Sequence, residues 1–362
     1  MSTKGRVLIA MSGGIDSSIA AIMLHEQGYE VIGFTLKTWD YSSSGGKHKE
    51  TGCCSLDSIN DALQVAVKIG VNHYVLDVRA EFNELIVDDF IKEYLSGRTP
   101  NPCVLCNTYI KWGLLLKKAK ALDCEFIATG HYARVRKEGE RFILSKGVDE
   151  IKDQSYVLWG LKQEYLATTI FPLGDLNKND IRKMAKDMGF KNLVEKKESY
   201  EICFIPDDDY RGFLNHKVEG LSGKYDGGNF VTSEGKILGK HKGYPFYTIG
   251  QRKGLNIATG SPLYVVNIIP ETNTIVLGSR DELKSSSMKV DKYNLIKYAA
   301  LPHNFEALTK IRYKDKGTMS KLNMDGDKII VEFDSAVNAL APGQSAVFYE
   351  GEDVIGGGFI LK

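Results

Sequence analysis

The sequence predicts an α/β protein: a doubly wound parallel-sheet domain, then a small central domain and a C-terminal β-barrel. Three observations predict this architecture. Short apolar runs alternate with amphipathic segments up to about residue 134, glycine punctuates the chain after about residue 207, and strand-like segments fill it after about residue 281. At 362 residues the chain is long enough for several cores. We place the domains at residues 1–208, 209–280 and 281–362.

The first domain is predicted to alternate strands with helices. The expected strands are 7–10, 31–34, 73–76 and 126–128, and the expected helices are 17–27, 55–69, 81–94 and 110–121. In the central domain, closely spaced glycines favour short strands and tight turns over helices. In the last domain, strands are expected at 289–298, 307–313, 328–333, 345–349 and 354–360.

The overall charge excludes a protein that coats nucleic acid by charge alone. Lysine plus arginine number 47 against 46 aspartate plus glutamate, a net charge of +1. Any RNA-binding surface must therefore be a local patch, with a solvated helix or loop face as the alternative reading of each. The candidate patches are Lys111, Lys117, Lys118 and Lys120; Lys178, Arg182, Lys183 and Lys186; and Arg312, Lys314 and Lys316.

The start of the chain has neither the apolar core of a signal peptide nor the arginine-rich character of a transit peptide. No stretch reaches transmembrane length, so no membrane association is expected. We expect a cytoplasmic protein whose six cysteines are reduced and serve chemistry or packing. The adjacent Cys53 and Cys54 suggest packing beside a nucleotide site, with a metal role as the alternative.

A glycine-rich turn, SGGIDSS at residues 12–18, follows the first predicted strand and runs directly into a helix. Glycines let the backbone turn sharply and approach phosphate, while a helix N-terminus and hydroxyl groups donate hydrogen bonds to anions. The turn lacks the Gly-Lys-Ser/Thr of a Walker loop, so phosphoryl transfer by a P-loop mechanism is not indicated. The alternative is a plain turn with an Asp or Ser cap. We expect a pyrophosphate-binding loop.

The positions of three cysteines indicate which kind of reaction the nucleotide loop could serve. Cys103 and Cys106 lie three residues apart just before a predicted helix, where the helix dipole would lower a thiol pKa from about 8.5. Half of a zinc site and buried inert thiols are the alternatives. Cys203 stands alone among apolar residues, which by itself favours a core cysteine. Two thiols together with a nucleotide loop point to sulfur chemistry.

The loop resembles that of the PP-loop ATP pyrophosphatase superfamily. Taken with the cysteines, the whole chain resembles the tRNA-specific 2-thiouridylase family (MnmA/TrmU). The other matching segments are TGHYAR at 129–134, KDQSY at 152–156, CFIP at 203–206, YTIGQRKGL at 247–255 and APGQ at 341–344. So many ordered matches along one chain make a chance resemblance negligible.

The resemblance implies roles for individual residues. By it, Ala10, Met11, Ser12, Gly13, Gly14, Ile15, Asp16 and Ser17 contact the phosphates of ATP, and Leu36 and Gly130 line the adenosine site. Cys106 matches the first catalytic cysteine, and Cys203 matches the cysteine that carries a persulfide. Asn101, Pro102 and Cys103 match the stretch at the target base, while His131, Lys152, Asp153, Gln154, Arg312, Tyr313 and Gln344 match positions at or near tRNA.

The implied reaction is ATP-dependent 2-thiolation of the wobble uridine, position 34, in the anticodon loop of tRNA. ATP, accompanied by Mg²⁺, adenylates the C2 oxygen with release of pyrophosphate. A persulfide on Cys203 then attacks C2 and AMP leaves, with Cys106 forming a disulfide with Cys203 or assisting proton transfer. The sulfur is expected to come from a donor protein of a cysteine desulfurase relay.

One position departs from the family pattern. Many members carry aspartate where this chain has Cys103, so the role of that aspartate does not transfer to this chain.

Three other functions are compatible with parts of the sequence. A first alternative keeps tRNA thiolation but lets Cys103, Cys106 and Cys203 hold a [4Fe-4S] cluster with one open iron. A second is a small-molecule AMP-forming ligase of the same superfamily, which needs neither the cysteines nor a barrel. A third, a catalytically silent RNA-binding module, is disfavoured because the loop and thiols are both intact.

Overall fold

A computed structural model describes residues 4–40, 55–196, 202–205, 208–258 and 260–361. Cys53 and Cys54 lie outside the described residues. The first half of the chain contains a parallel sheet and its helices, as predicted. Its strands are β1 (Arg6–Ala10), β2 (Glu30–Lys37), β3 (Asn72–Asp77), β4 (Phe126–Thr129) and the short β7 (Thr169–Ile170). Between β4 and β7 the chain forms a hairpin of β5 (Ala133–Glu138) and β6 (Arg141–Lys146).

The sheet has the strand order β3-β2-β1-β4-β7, and all its neighbours are parallel. The connecting helices are α1 (Ile15–Glu26), α2 (Leu56–Ile69), α3 (Arg79–Phe82), α4 (Asp88–Leu95), α5 (Pro102–Leu105), α6 (Leu115–Ala121), α7 (Gln163–Leu166), α8 (Lys178–Asp187) and α9 (Lys191–Glu195). β1 is buried on both faces: Val7 and Ile9 pack with α1 and α8, while Leu8 packs with α6. The predicted doubly wound arrangement is confirmed.

Two predicted helices differ in detail from the structure. In place of a single helix at 81–94, the structure has three consecutive segments: α3, a π-helical turn at Asn83–Val87, and α4. The expected helix at 110–121 begins earlier, at Pro102, and passes through a π-helical segment, Cys106–Leu114, before α6. Proline suits the first helical position because it lacks the amide hydrogen that would be unpaired there. The two cysteines thus lie within this helix rather than before it.

The central region contains a four-stranded sheet in the order β10-β11-β8-β9. Its strands are β8 (Gly228–Val231), β9 (Ile237–His241), β10 (Tyr264–Ile269) and β11 (Thr274–Gly278). Two helices, α10 (Tyr210–Lys217) and α11 (Leu221–Tyr225), precede it, so the expectation of strands alone is wrong for 210–225. These helices form because they bury Phe213, Leu214 and Leu221 against the first domain and the central sheet.

The last region is an antiparallel barrel, confirming the predicted fold class. Its strands are β12 (Lys284–Leu295), β13 (Phe305–Lys310), β14 (Thr318–Asp325), β15 (Lys328–Asn338), β16 (Ser345–Glu350) and β17 (Asp353–Leu361). They follow the order β12-β15-β14-β13-β16-β17, and pairing of β12 with β17 closes the ring. β14 was not predicted. Gly357 lies against Trp159, where a Cβ would come within 2.7 Å of the indole ring.

The β5–β6 hairpin of the first domain extends the barrel sheet. β6 meets β17 through the pair Ser145 and Asp353. The Asp353 carboxylate accepts hydrogen bonds from Ser145 Oγ and from two nitrogens of Arg136 at 2.7–2.9 Å, and it pairs with Lys297 at 2.8 Å. These partners hold the pKa of Asp353 below its usual range even though burial opposes the shift.

The domain boundaries drawn from the sequence stay a prediction. No helix in the described ranges is both long enough and apolar enough to cross a membrane.

Candidate functional site

The glycine-rich loop lies where β1 and β4 meet at their carboxyl ends. The chain winds outward from β1 through β2 to β3 and then returns to the other side of β1 as β4. Such a reversal leaves a crevice at the sheet edge, which is where open α/β sheets bind ligands. The loop expected to bind pyrophosphate therefore stands at the position that the topology favours.

Glycine is required at two points around this loop. Gly13 has a φ of +69°, and a Cβ there would collide with the carbonyl oxygen of Ser58 in α2. A Cβ on Gly130, which follows β4, would lie 2.7 Å from the backbone nitrogen of Ser17. The end of β4 and the start of α1 are thus in close backbone contact, and these glycines permit it.

Hydroxyl groups hold the loop in shape. Ser17 Oγ accepts a hydrogen bond from the Ser12 amide at 3.0 Å and donates to the Gly14 carbonyl at 3.1 Å. On the opposite side, Lys196 Nζ donates to the Gly13 carbonyl at 3.2 Å and pairs with Asp61 at 2.8 Å. The loop is therefore fixed by contacts to its own residues and to α2.

Asp16 is the loop residue with the strongest polar contacts. Lys178 Nζ lies 2.7 Å from each of its carboxylate oxygens, and the Tyr132 hydroxyl donates to Oδ1 at 2.7 Å. Lys178 is only 6% exposed, so its prediction as part of a surface basic patch is wrong. Sequence reasoning missed both partners of Asp16. The available signal was their position: Tyr132 lies two residues after Gly130, and Lys178 begins α8.

The remaining residues assigned to ATP separate into two kinds. Met11 and Ile15 are buried and pack in the core between the sheet, α1 and α2, so only their backbone can face a nucleotide. Ala10 and Leu36 are partly buried and border the core on the other face of the sheet. These assignments stay predictions.

Cys103 is exposed, yet surrounding protein raises the pKa of its thiol, with the charge of Lys111 acting in the opposite direction. The lowered thiol pKa expected from the helix dipole is therefore wrong for Cys103, because desolvation outweighs the favourable charge. At neutral pH we expect the thiol to be protonated.

The other two thiols border one aromatic cluster. Cys106 is half-buried against it, and Cys203 is exposed and directly precedes Phe204, a member of the cluster. The Phe204 ring lies 5.2–5.9 Å, centroid to centroid, from four other rings, those of Trp39, Phe82, Phe90 and Phe213. Burying the neighbouring side chain in this way fixes the backbone at Cys203 while leaving its thiol accessible.

Among the described residues, no three histidine, cysteine, aspartate or glutamate side chains are grouped so as to share a metal ion. All three cysteines of the alternative cluster are described. Cys103, Cys106 and Cys203 thus do not form a ready-made ligand set. The cluster alternative would require a rearrangement that brings the three thiols together.

His131 follows Gly130 at the end of β4, beside the nucleotide loop. It is buried, its Nδ1 is 2.7 Å from Thr129 Oγ1, and its Nε2 is 3.5 Å from Lys111 Nζ. Burial, aided by the Lys111 charge, holds the pKa of His131 well below its ordinary value, so the ring is neutral at pH 7. It follows Gly130, which contacts the nucleotide loop. A neutral imidazole therefore lies next to the segment that contacts the nucleotide loop and beside Lys111, whose charge acts on Cys103.

The stretch before Cys103 is held by the barrel. Gln344 Nε2 donates to the Pro100 carbonyl at 2.7 Å, and the Thr99 amide donates to the Pro342 carbonyl at 2.8 Å. Asn101 Nδ2 donates to Ser345 Oγ at 3.2 Å. Gln344 and Asn101, both assigned to the RNA site, thus contact the protein itself across two domains.

Most other residues assigned to tRNA also meet at this junction. The Tyr313 hydroxyl donates to the Asp153 carbonyl at 2.9 Å, and Asp153 Oδ2 accepts from Ser155 Oγ at 3.0 Å. Gln154 Oε1 accepts from the Tyr132 amide at 3.1 Å. Arg312 is exposed beside them, and Lys152 is partly buried. The structure brings these positions together at the junction of the first domain and the barrel, and their contact with RNA stays a prediction.

Three family models match along the chain. The tRNA methyl transferase HUP domain covers residues 5–207, the tRNA methyl transferase PRC-barrel domain covers 213–279, and the aminomethyltransferase beta-barrel domain covers 285–360. Together they span nearly all of the described structure.

Curated relatives match over nearly their whole length. The tRNA-specific 2-thiouridylase MnmA of Cytophaga hutchinsonii is 60% identical over 99% of this chain and 98% of its own. Proteins of the same name from Amoebophilus asiaticus and Salinibacter ruber are 59% and 55% identical, each over 99% of this chain and 95% of their own.

Proposed function

The chain belongs to the family of tRNA-specific 2-thiouridylases, and from this we propose that it thiolates the wobble uridine of tRNA at C2, using ATP and a cysteine persulfide. One observation carries the proposal. The nucleotide loop and the three cysteines belong to one domain, and the segment after β4 contacts the loop through Gly130 and Tyr132 and lies beside Lys111, whose charge acts on Cys103. A site of this kind can activate an oxygen with ATP and replace it with sulfur.

The first step is adenylation, because the C2 carbonyl oxygen of uridine is a poor leaving group. The oxygen attacks the α-phosphorus of ATP, the bond to the bridging oxygen breaks, and pyrophosphate departs with the electron pair. Backbone amides at the start of α1 and the hydroxyl of Ser12 are the donors that would meet the phosphates. The Gly13 conformation allows this close approach.

The second step is sulfur transfer. The terminal sulfur of a Cys203 persulfide attacks C2, and AMP leaves with the C2 oxygen. Cys106 then attacks the Cys203 sulfur, so that the S–S bond to the transferred sulfur breaks, 2-thiouridine is released and a Cys106–Cys203 disulfide forms. An external thiol reductant restores both thiols. Phe204 supports this step by anchoring the backbone next to Cys203.

Mg²⁺ is part of the proposal as a companion of ATP. Such an ion needs only one or two carboxylates because phosphates and water complete its shell. Asp16 is the loop carboxylate that fits that role, and the ion would offset negative charge on the phosphates.

The partners follow from the chemistry. The target base must leave its stack to meet both the nucleotide and a protein thiol, which a base in an anticodon loop can do. The exposed Arg312, Lys314 and Lys316 form a basic edge next to the junction of barrel and first domain, suited to the phosphate backbone. Sulfur would reach the exposed Cys203 from a relay protein charged by a cysteine desulfurase. We assign the reaction to the cytoplasm.

The test is the stoichiometry of nucleotide products. Purified protein, unmodified tRNA, ATP and a persulfide source should yield one AMP and one pyrophosphate for each 2-thiouridine formed. Omitting tRNA should remove most of the turnover. ADP as the main product, or equal AMP formation without tRNA, would show that the proposal is wrong.

A further inference from the structure

We propose that Lys111 is a further catalytic residue, whose ammonium binds the phosphate that joins AMP to the target base and stabilises AMP as it leaves. The inference rests on the proposed function, since it assumes that the chain adenylates a uridine before sulfur transfer. It is carried by the position of Lys111, which contacts the segment after β4 and belongs to the helix that bears Cys106.

Lys111 approaches the nucleotide side of the site through His131. Its Nζ lies 3.5 Å from His131 Nε2. The residue before this histidine, Gly130, approaches the nucleotide loop so closely that a Cβ would lie 2.7 Å from the backbone nitrogen of Ser17. The ammonium thus contacts the residue that directly follows the one packed against the loop.

Lys111 is also close to the cysteines. It follows Cys106 by five residues, about one turn of the π-helical segment Cys106–Leu114 that contains both. Its positive charge acts on the Cys103 thiol, where it opposes the effect of burial on the pKa. An adenylated uridine must present C2 to a thiol while its nucleotide stays at the loop. Its phosphate is the group that base and nucleotide share, and Lys111 is a cation with neighbours in both parts of the site.

The ammonium of Lys111 can accept an anionic ligand. In the part of the chain that the structure describes, no carboxylate forms an ion pair with it, and its hydrogen-bonding partner is an imidazole. That imidazole is neutral, because burial and the Lys111 charge both lower the pKa of His131. A half-buried cation is screened less by salt than an exposed one, so a phosphate would be bound more strongly here than at the surface.

The neighbours of Lys111 hold its backbone in place. Ile110 and Trp112 are fully buried, and Trp112 Nε1 donates to Thr169 Oγ1 at 2.7 Å. The Trp112 ring also packs near His131, with 5.7 Å between the ring centroids. Only the side chain of Lys111 needs to adjust when a phosphate oxygen replaces the imidazole as its partner. A cation placed with so little reorganisation favours electrostatic stabilisation of a transition state.

The role in the reaction follows from the charge on the phosphate. In adenylated uridine this phosphate is a diester with one negative charge. When the terminal persulfide sulfur bonds to C2, the bond between C2 and its oxygen breaks, and the electron pair leaves with AMP. The phosphate then gains a second negative charge, which the ammonium stabilises as it develops. Lys111 should therefore interact with the α-phosphate of ATP and not with the β-phosphate.

The experiment measures single-turnover formation of 2-thiouridine from ATP by the parent, Lys111→Met and Lys120→Met. Lys120 is an exposed lysine of α6, which continues the helix of Lys111, and it serves as the matched control. Loss of a charge-assisted hydrogen bond predicts that Lys111→Met slows the reaction by roughly 10- to 100-fold. Lys120→Met should match the parent. Lys111→Arg should recover part of the rate because it keeps the charge.

A second measurement identifies the phosphate that the ammonium contacts. Sulfur accepts hydrogen bonds less well than oxygen, so replacing ATP by one of the ATPαS diastereomers should slow the parent at least about fivefold more than it slows Lys111→Met. Replacing ATP by ATPβS should slow both proteins equally. Lys111→Gln, which keeps a polar side chain, should behave as Lys111→Met does and replaces it if the methionine variant does not fold.

Two results would overturn the inference. One is an ATP rate that Lys111→Met leaves unchanged, and the other is an ATPαS effect of equal size in the parent and the variant. A parent protein that forms ADP instead of AMP, or no 2-thiouridine, would overturn the proposed function itself.

Discussion

The nucleotide end and the thiol end of the site are built in contrasting ways. At the nucleotide end, Asp16, Lys178 and Tyr132 are joined by contacts of 2.7 Å, and the loop backbone is fixed by close glycine contacts. At the thiol end, Cys103 and Cys203 are exposed, and packing of the neighbouring segments positions their backbone. One end is assembled within a single domain, and the other depends on three.

The three-domain support of the thiol end is visible just before Cys103. A Cβ on Gly97 would lie 2.7 Å from Pro270 of the central domain, and Tyr244 of that domain donates to the Leu95 carbonyl at 2.6 Å. The barrel contacts the following residues through Gln344 and Ser345. Because the two ends of the site are supported by different contacts, we expect that a mutation can abolish sulfur transfer while leaving nucleotide activation intact.

The largest separation is expected for Cys203→Ser. A serine hydroxyl cannot carry sulfane sulfur, so 2-thiouridine formation should fall at least about a thousandfold. The tRNA-dependent release of pyrophosphate in a single turnover should survive, because ATP binds at the other end. Both products are measured in one quenched reaction.

Cys124→Ser is the matched control, because Cys124 is another cysteine of the first domain but lies buried between α6 and β4. It should retain thiolation. Near-normal 2-thiouridine in Cys203→Ser would refute the persulfide role, and joint loss of pyrophosphate release would refute the separation of the two ends.

An intermediate effect is expected for Ser345→Ala. Ser345 Oγ accepts hydrogen bonds from Asn101 and from Trp159 Nε1 at 3.0 Å, so its loss should loosen the stretch before Cys103. The kcat for thiolation should fall roughly tenfold, because small misplacements of reacting groups are costly. The KM for ATP should stay constant, as measured by steady-state kinetics.

Ser320→Ala supplies the control for stability. Ser320 is another buried barrel serine, but its hydroxyl bonds within the barrel, to Thr309 and to the Ala307 carbonyl. Each variant loses two hydrogen bonds, about 1 kcal/mol of unfolding free energy for each bond. If the two variants lose kcat equally, the effect is general destabilisation and the positioning role of Ser345 is wrong.

The smallest effect is expected for Cys103→Asp, which introduces the residue common in the family. Because the persulfide route needs only Cys106 and Cys203, thiolation by iron-free enzyme should stay within about threefold of the parent, far from the loss caused by removing an essential group. Iron and acid-labile sulfide are measured on both proteins. Activity that follows bound iron across the two would favour the cluster route instead.

The sequence predicted the parts of the molecule that depend on local pattern. A buried strand, a glycine turn and an amphipathic helix are neighbours in the chain, so the loop at residues 12–18 was recognisable. The helices at 210–225 were missed because glycines there masked an apolar face. β14 was missed because its apolar and polar residues do not alternate with burial. The polar Ser320 is buried in the barrel beside Leu322, while the apolar Met319 is exposed.

Contacts between distant residues were beyond local pattern. Lys178 looked like one of four surface cations on a helix, and only the fold shows that its side chain turns inward to Asp16. The raised pKa of the Cys103 thiol has the same origin, because desolvation by surrounding protein outweighs the charge of Lys111. The direction of a helix and the charge of a side chain can be predicted from the neighbouring sequence. The burial of that side chain depends on how the domains pack together.

The β5–β6 hairpin has a consequence for how the protein is made. Ser145 bonds to Asp353 across 208 residues, so one edge of the hairpin lacks its final neighbour until the end of the chain has been synthesised. At about 5–20 residues per second, the wait is on the order of ten to forty seconds. During this time a nascent chain would expose that strand edge to other chains. Ribosome-bound intermediates stalled before residue 353 should therefore be the most prone to aggregate and the most dependent on chaperones.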